Sequence, residues 1–278
     1  MHSADLPRSA FTVPHDWIIP DWPVPSRVRA VCTTRTGGVS EGPYGSMNLG
    51  DHVADDPVAV QANRALLAQS LAMSSSPAAV PVFMNQIHGT HVQWLGRPEA
   101  TDPVFEADAC TTLEAGVACV IMVADCLPVL FANADGSQVA AAHAGWRGLA
   151  GQAGACGEGV LEAVVNAFGG PTGLRAWLGP CIGPTAFEVG PEVRAAFCEP
   201  DADAAVFFRP HGDAKFLADL AGLARHRLRR IGVTDIHGND STERWCTVGN
   251  PSRFFSYRRD QRILGGSGRL AAAIWIDA

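Results

Sequence analysis

The stretch from Val120 to Gly148, VIMVADCLPVLFANADGSQVAAAHAGWRG, constrains this chain more than any other. Two apolar runs rich in β-formers are separated only by Asp125-Cys126, and the second closes on His143-Ala-Gly-Trp-Arg-Gly148. Runs of this composition belong inside a sheet, so polar groups at their ends sit against a core. Upstream, Asn85-Gln-Ile-His-Gly89 puts His88 at the end of another strand-like run. His88, Cys126 and His143 therefore form a His/Cys/His set, each residue at the end of a buried-looking strand.

The pattern around this stretch is strand-rich with interspersed helices. Residues 27–34 alternate Val28, Ala30 and Cys32 with polar or small side chains, the mark of a strand, and feed the turn-forming Thr34-Arg-Thr-Gly-Gly38. Asp55-Asp56-Pro57 starts a helix that runs to about Met73, with Ala59, Ala62 and Leu66 on one face and Asn63 and Arg64 beside it. Residues 80–87 and 90–95 read as strands joined at His88-Gly89, and 107–112 and 116–124 as a second strand pair. Residues 128–133 and 138–143 flank Ala134-Asp-Gly136, a hairpin signal.

Glycines at 145, 148, 151, 154 and 157 recur every third residue. Each costs about 1 kcal/mol relative to alanine in a helix, so such a run implies close approach of other backbone or of a ligand. Helices are expected over Leu161, Val164, Val165 and Phe168, at 188–198 and at 215–230, the last with Leu217, Leu220, Ala221, Ala224 and Leu228 inward and a basic run along a solvated face. Residues 199–213 read as irregular, and 174–178, 233–237, 253–257 and 270–276 as strands. Hairpin-like links favour an α+β fold on a mixed or antiparallel sheet over a doubly wound parallel one. We expect an irregular lead-in over 1–27, with five prolines and Trp17 and Trp22 packed onto the body, and one catalytic domain over 28–278.

With 278 residues, 47% of them apolar and 18% charged, the chain can bury a large core. A net charge of −7 gives no case for nucleic acid or an anionic membrane as partner. No apolar run approaches the length of a bilayer span, and the N-terminus lacks the apolar centre of a secretory signal. None of the eight cysteines has C-x-x-C spacing, so a reducing cytoplasm is expected. Nothing in the sequence sets the oligomeric state, monomer or dimer.

Two imidazoles and a thiolate suit zinc, and a catalytic zinc keeps its fourth position open. The same residues would equally serve a Cys126 nucleophile with His88 or His143 as base, and spacing does not separate the two. His91 falls on the opposite side of its strand from His88. Arg147, beside the glycine run, is a candidate oxyanion holder. Arg35, Asn48, Arg64 and Gln86 are polar residues near the expected site, and Asp108 reads as a turn or cap residue.

The motifs NQIHGTHV (85–92), ADACTT (107–112), VADCLPVL (123–130), HAGWRG (143–148), GPCIGP (179–184) with AFEVG (186–190), and FFSYRRD (254–260) occur in order. Together with TTRTGG (33–38), NLG (48–50) and Asn63-Arg64, they resemble the purine nucleoside phosphorylase family, formerly called the multicopper polyphenol oxidase or laccase-domain family. The resemblance covers about residues 30 to 275. It implies a single α+β domain, a layered sandwich around mixed β-sheets, and a zinc site on His88, Cys126 and His143.

It also implies phosphorolysis of adenosine, inosine, guanosine and methylthioadenosine, with adenosine deaminase activity. The alternative is a cytoplasmic amidase that edits muramyl-peptide cell-wall precursors. Polyphenol oxidation ranks lower, because nine histidines include no H-x-H pair. Deamination lacks an assigned proton shuttle, because no H-x-E motif occurs. One departure stands out: residues 261–269, QRILGGSGR, are longer than the short Gly-Thr-Gly-Arg-type turn usual after SYRRD.

Overall fold

The computed structural model describes residues 16–99, 104–151 and 158–278. Residues 1–15 of the expected lead-in, and Gly154 and Gly157 of the glycine run, lie outside the described residues. In chain order the elements are β1 (Val28–Cys32), α1 (Pro57–Met73), β2 (Val80–Val82), β3 (Val92–Trp94), β4 (Ala109–Thr112), β5 (Val117–Val123), β6 (Leu127–Ala132) and β7 (Val139–Ala144). Next come α2 (Trp146–Ala150), α3 (Val160–Ala167), β8 (Arg175–Leu178), β9 (Glu188–Val189), α4 (Pro191–Cys198), β10 (Phe208–His211) and β11 (Lys215–Ala218). The chain closes with α5 (Leu220–Arg230), β12 (Asp235–Gly238), α6 (Tyr257–Leu264) and β13 (Leu270–Ile276).

Two mixed sheets stack face to face. One has the order β1-β13-β5-β2 and the other β12-β8-β6-β7-β4-β3, and a small β10-β11-β9 sheet lies apart. Side-chain alternation sorts the core into three layers. Cys119, Ile121 and Val123 of β5 meet Leu130 of β6 and Ala141 of β7 between the sheets. Val120 and Met122 face the other way, onto Leu67 and Leu71 of α1. Val129 and Phe131 of β6 back onto α3 and α5 through Val164 and Leu223. The result is a helix–sheet–sheet–helix sandwich of α+β class, as the resemblance implies.

The helix start at Pro57 is as read: Asp56 accepts from Val58 N at 2.9 Å, an N-cap that contributes about 1 kcal/mol. Its buried face is shifted by one residue, to Val60, Asn63, Leu67, Ser70 and Leu71. Asn63 can be buried because its amide is satisfied: it donates to Ser40 Oγ, Ser46 O and Asn48 O and accepts from Val39 N. The 128–143 hairpin forms, with β6 and β7 antiparallel. Trp17 and Trp22 are buried against the body, as expected.

Several expected elements differ. Residues 80–95 are no hairpin: β2 pairs in parallel with β5 in the first sheet, and β3 in parallel with β4 in the second. Likewise β4 and β5, adjacent in sequence, belong to different sheets. The 215–230 segment begins as strand β11, hairpinned to β10, before Asp219 caps α5 through Gly222 N. Residues 199–213 therefore contain β10, and the helix expected from 188 begins at Pro191 after the short strand β9. The strand expected at 253–257 is replaced by turns and the start of α6, where Ser256 accepts from Arg259 N.

Candidate metal centre

The site lies where the chain crosses between the two sheets. Only Ala124, Asp125 and Cys126 separate β5 in one sheet from β6 in the other. Asp125 makes this turn with φ 91°, a left-handed conformation that costs a non-glycine residue of order 1–3 kcal/mol. Its carboxylate is held by Thr247 Oγ1 (2.5 Å) and Arg258 N (2.6 Å). The second crossing, from β2 to β3, carries His88 at φ 62°. Gln86 anchors that crossing to β5 like an extra strand residue: its amide donates to Met122 O and accepts from Met122 N, both at 2.8 Å.

Strand register supplies the rest. His143 lies opposite Pro128 on the β6–β7 ladder, so it and Cys126 share the face toward the other sheet. Cys126 Sγ lies 3.9 Å from His88 Nε2, and the rings of His88 and His143 meet edge-on with centroids 4.8 Å apart. The donor atoms of His88, Cys126 and His143 all lie within 4.8 Å of one another, the one such group of three among the described residues.

Asp108 organises this cluster, and it was legible in sequence only as a turn or cap residue. It sits just before β4, fully buried. Its carboxylate accepts from Ile87 N (3.1 Å), His88 N (2.8 Å), Gly89 N (2.6 Å) and His143 Nδ1 (2.8 Å). One carboxylate thus fixes both the His88 loop and the His143 ring. An ionised carboxylate can only accept, so Nδ1 of His143 carries a hydrogen and Nε2 is turned to the cluster.

Gly145 and Gly148 explain the near end of the glycine run. A Cβ on Gly145 would stand 2.9 Å from Cys126 Sγ and 3.1 Å from His88 Cδ2. On Gly148 it would stand 2.7 Å from Gly89 O.

Charge in the cluster follows from these contacts. Burial pushes the Cys126 thiol up, but His143 and His88 more than reverse this and bring it down to about 6. Burial pushes His143 down, while Cys126 and Asp108 raise it to about 9. Burial also works against ionised Asp108, yet its bonds to His143, Gly89 and His88 hold it below the usual carboxylate range. A thiolate beside an imidazolium results, and loss of the Nε2 proton from His143 turns both into metal ligands. The donor set fits a metal: a ready thiolate, two imidazole nitrogens and a carboxylate behind one of them.

The other expected site residues are mostly engaged with the protein itself. Arg35 donates to Gly45 O and Pro251 O and lies over the Phe255 ring. Asn48 is buried and bonds Gly50, Asp55 and Arg269 N. Arg64 donates to Leu49 O and pairs with Asp51 at 3.0 Å. Arg147, on α2, is exposed and lies over its neighbour Trp146. His91 is exposed and outside the cluster.

Two stacked mixed sheets between helices, with a His/Cys/His cluster at the sheet crossings, define an α+β protein whose clustered donors could hold a metal ion. The chain belongs to the multi-copper polyphenol oxidoreductase laccase family, whose model matches residues 29–277. It is 48% identical to "Purine nucleoside phosphorylase PA4543" of Pseudomonas aeruginosa, over 94% of this chain and 98% of that protein. It is also 48% identical to "Purine nucleoside phosphorylase YfiH" of Escherichia coli K12, over 93% and 98%. The crystal structure of Neisseria meningitidis protein NMB0706 aligns with a TM-score of 0.83 at 45% identity, over 95% of this chain and all of that one. That of YlmD from Geobacillus stearothermophilus aligns with 0.81 at 30% identity, over 96% and 99%.

Proposed function

We propose that the protein is a zinc-dependent purine nucleoside phosphorylase, one catalytic domain over residues 28–278, working in the cytoplasm on adenosine, inosine, guanosine and methylthioadenosine. Adenosine deamination is a second reaction of the same centre. The observation that carries this reading is the convergence of His88, Cys126 and His143, backed by Asp108. The names of the 48%-identical relatives support it. A three-ligand set leaves a position open, as catalytic zinc requires. A multicopper oxidase would need several clusters, and among the described residues there is one. The seven described cysteines are free thiols, in keeping with a reducing compartment, and no described helix is long and apolar enough to cross a membrane.

In phosphorolysis an oxygen of inorganic phosphate bonds to ribose C1′ as the C1′–N9 bond breaks. The electron pair leaves with the purine, which takes up a proton, and ribose 1-phosphate is the second product. Zinc held by His88, Cys126 and His143 would supply Lewis acidity at the open position. Asp108 keeps the His143 ring and the His88 loop in place. Arg35, Asn48, Arg64 and Gln86 hold the loops around the centre in place for substrate, and Arg147, exposed on α2, stands outside the cluster.

The test is hypoxanthine release from inosine by zinc-loaded protein, with and without phosphate, beside Cys126→Ala. Phosphate-dependent release that the substitution abolishes is the expected result. Release surviving Cys126→Ala would place the reaction elsewhere. No release from zinc-replete protein would overturn phosphorolysis and direct the assay to muramyl-peptide amides.

A further inference from the structure

The 261–269 stretch, longer than the turn expected after SYRRD, ends on Arg269 where the chain enters β13. Residues 261–264 form the last turn of α6, which Gly265 closes at φ 77°. Gly266-Ser-Gly268 then folds tightly inward. A Cβ on Gly266 would stand 2.4 Å from Tyr44 Oη, and one on Gly268 2.7 Å from the Phe255 ring. The chain emerges as Arg269, one residue before β13.

Arg269 is held by its backbone at both ends. Its N–H donates to Asn48 Oδ1 at 2.8 Å, and its carbonyl accepts from Leu49 N at 3.1 Å. The Asn48 amide is itself fixed, donating to Asp55 Oδ2 and Gly50 O. The side-chain methylenes run over Gly50, where a Cβ would stand 2.6 Å from Arg269 Cγ.

The guanidinium is only partly used. Nη1 donates to Ser267 O (2.8 Å) and Gly268 O (3.1 Å), whereas Nε and Nη2 have no acceptor among the described residues. A guanidinium carries five N–H donors, so its outer edge is left with unspent hydrogens. β13 pairs antiparallel with β5 with Leu270 opposite Val123, so Arg269 stands level with Ala124, two residues before Cys126, and Cys126 and Asp125 are the anionic groups that act on it most strongly. The arginines expected at the site are placed differently: Arg35 is committed to Gly45 O and Pro251 O, Arg64 to Leu49 O and Asp51, and Arg147 lies on the outside of α2.

We propose that Arg269 is the anion-holding residue of this centre, presenting the free edge of its guanidinium to inorganic phosphate beside Cys126, with Asn48 as its positioning residue. Paired N–H donors in one plane match two phosphate oxygens. The assignment of phosphate as co-substrate rests on the phosphorylase reading; the anion site itself does not.

Two measurements separate them. In zinc-loaded protein, Arg269→Gln is expected to raise KM for phosphate about 10- to 100-fold, the loss of a charge-assisted pair. KM for inosine should stay within about twofold, since the nucleoside is neutral. In metal-free protein, inorganic phosphate should protect Cys126 from iodoacetamide, and Arg269→Gln should remove that protection.

Arg269→Lys, which keeps the charge without the planar fork, should recover part of both effects and covers the case in which the glutamine variant fails to fold. Arg262→Gln, an exposed arginine on α6, controls for net charge and should match wild type. Unchanged phosphate KM, or phosphate protection that persists without Arg269, overturns the proposal. If wild type shows Arg269-dependent protection but no phosphate-dependent hypoxanthine release, the phosphorylase reading fails and the anion site stands.

Discussion

Asp108→Asn tests the core of the site with the smallest change in shape. The native carboxylate accepts four hydrogen bonds, from Ile87 N and Gly89 N on Oδ2 and from His88 N and His143 Nδ1 on Oδ1. Asparagine offers one oxygen and one NH2, so only one of these pairs can be kept. If the oxygen stays with Ile87 and Gly89, the NH2 faces His143 Nδ1 as a donor. His143 must then accept there and carry its hydrogen on Nε2, the nitrogen that faces the metal. If the oxygen stays with His143, Gly89 and Ile87 lose their acceptor and the His88 loop loosens.

Either arrangement loses two charge-assisted bonds at about 1.5–3 kcal/mol each, an upper limit because the loop can relax toward water. Loss of such a carboxylate behind a ligating histidine lowers metal affinity about 10- to 100-fold. The assay is Zn2+ affinity by competition with a chelator, beside denaturant midpoints of the metal-free proteins. Affinity within about threefold of wild type, in a variant with native circular dichroism, would show that Asp108 does not govern both histidines.

Two further predictions follow from the same geometry. Gly148→Ala puts a methyl 2.7 Å from the Gly89 carbonyl, so it should destabilise the fold by about 1–3 kcal/mol in a denaturant titration, and a wild-type midpoint would show that the loop contact is loose. In metal-free protein the alkylation rate of Cys126 should rise with pH through about 6. Below that value the sulfur is a thiol, and above it a thiolate facing an imidazolium that persists to about 9. Added zinc should suppress the reaction across the range, and a midpoint near the ordinary thiol value would show that the His143 contact does not form in solution.

The residues that converge at the cluster could be picked from sequence because each ends an apolar run. Why they converge could not. Residues 80–95 and 107–124 look like hairpins, since an apolar run, a polar turn and another apolar run have the same local appearance whether the chain folds back or crosses to a second sheet. β5 is buried on both faces, so its seven apolar residues carry no alternation to say which side meets which layer. Asp108 read as a turn residue because its partners stand 19 to 35 residues away. Arg269 was hidden for the same reason, as its anchor Asn48 is 221 residues distant.

Local pattern was enough to give the α+β class, the β6–β7 hairpin, the N-cap at Asp56, the close approach at the first glycines, and the identity of the His/Cys/His set. Those features depend on φ/ψ preference and side-chain spacing within one segment, or on motifs that a resemblance carries. Tertiary structure alone decided the partition of strands between two sheets, the buried face of α1, and the roles of Asp108 and Arg269. Each of these is settled by burial and hydrogen bonds shared between distant segments. A carboxylate or guanidinium becomes part of a site only when such packing removes water and leaves specific donors and acceptors in reach.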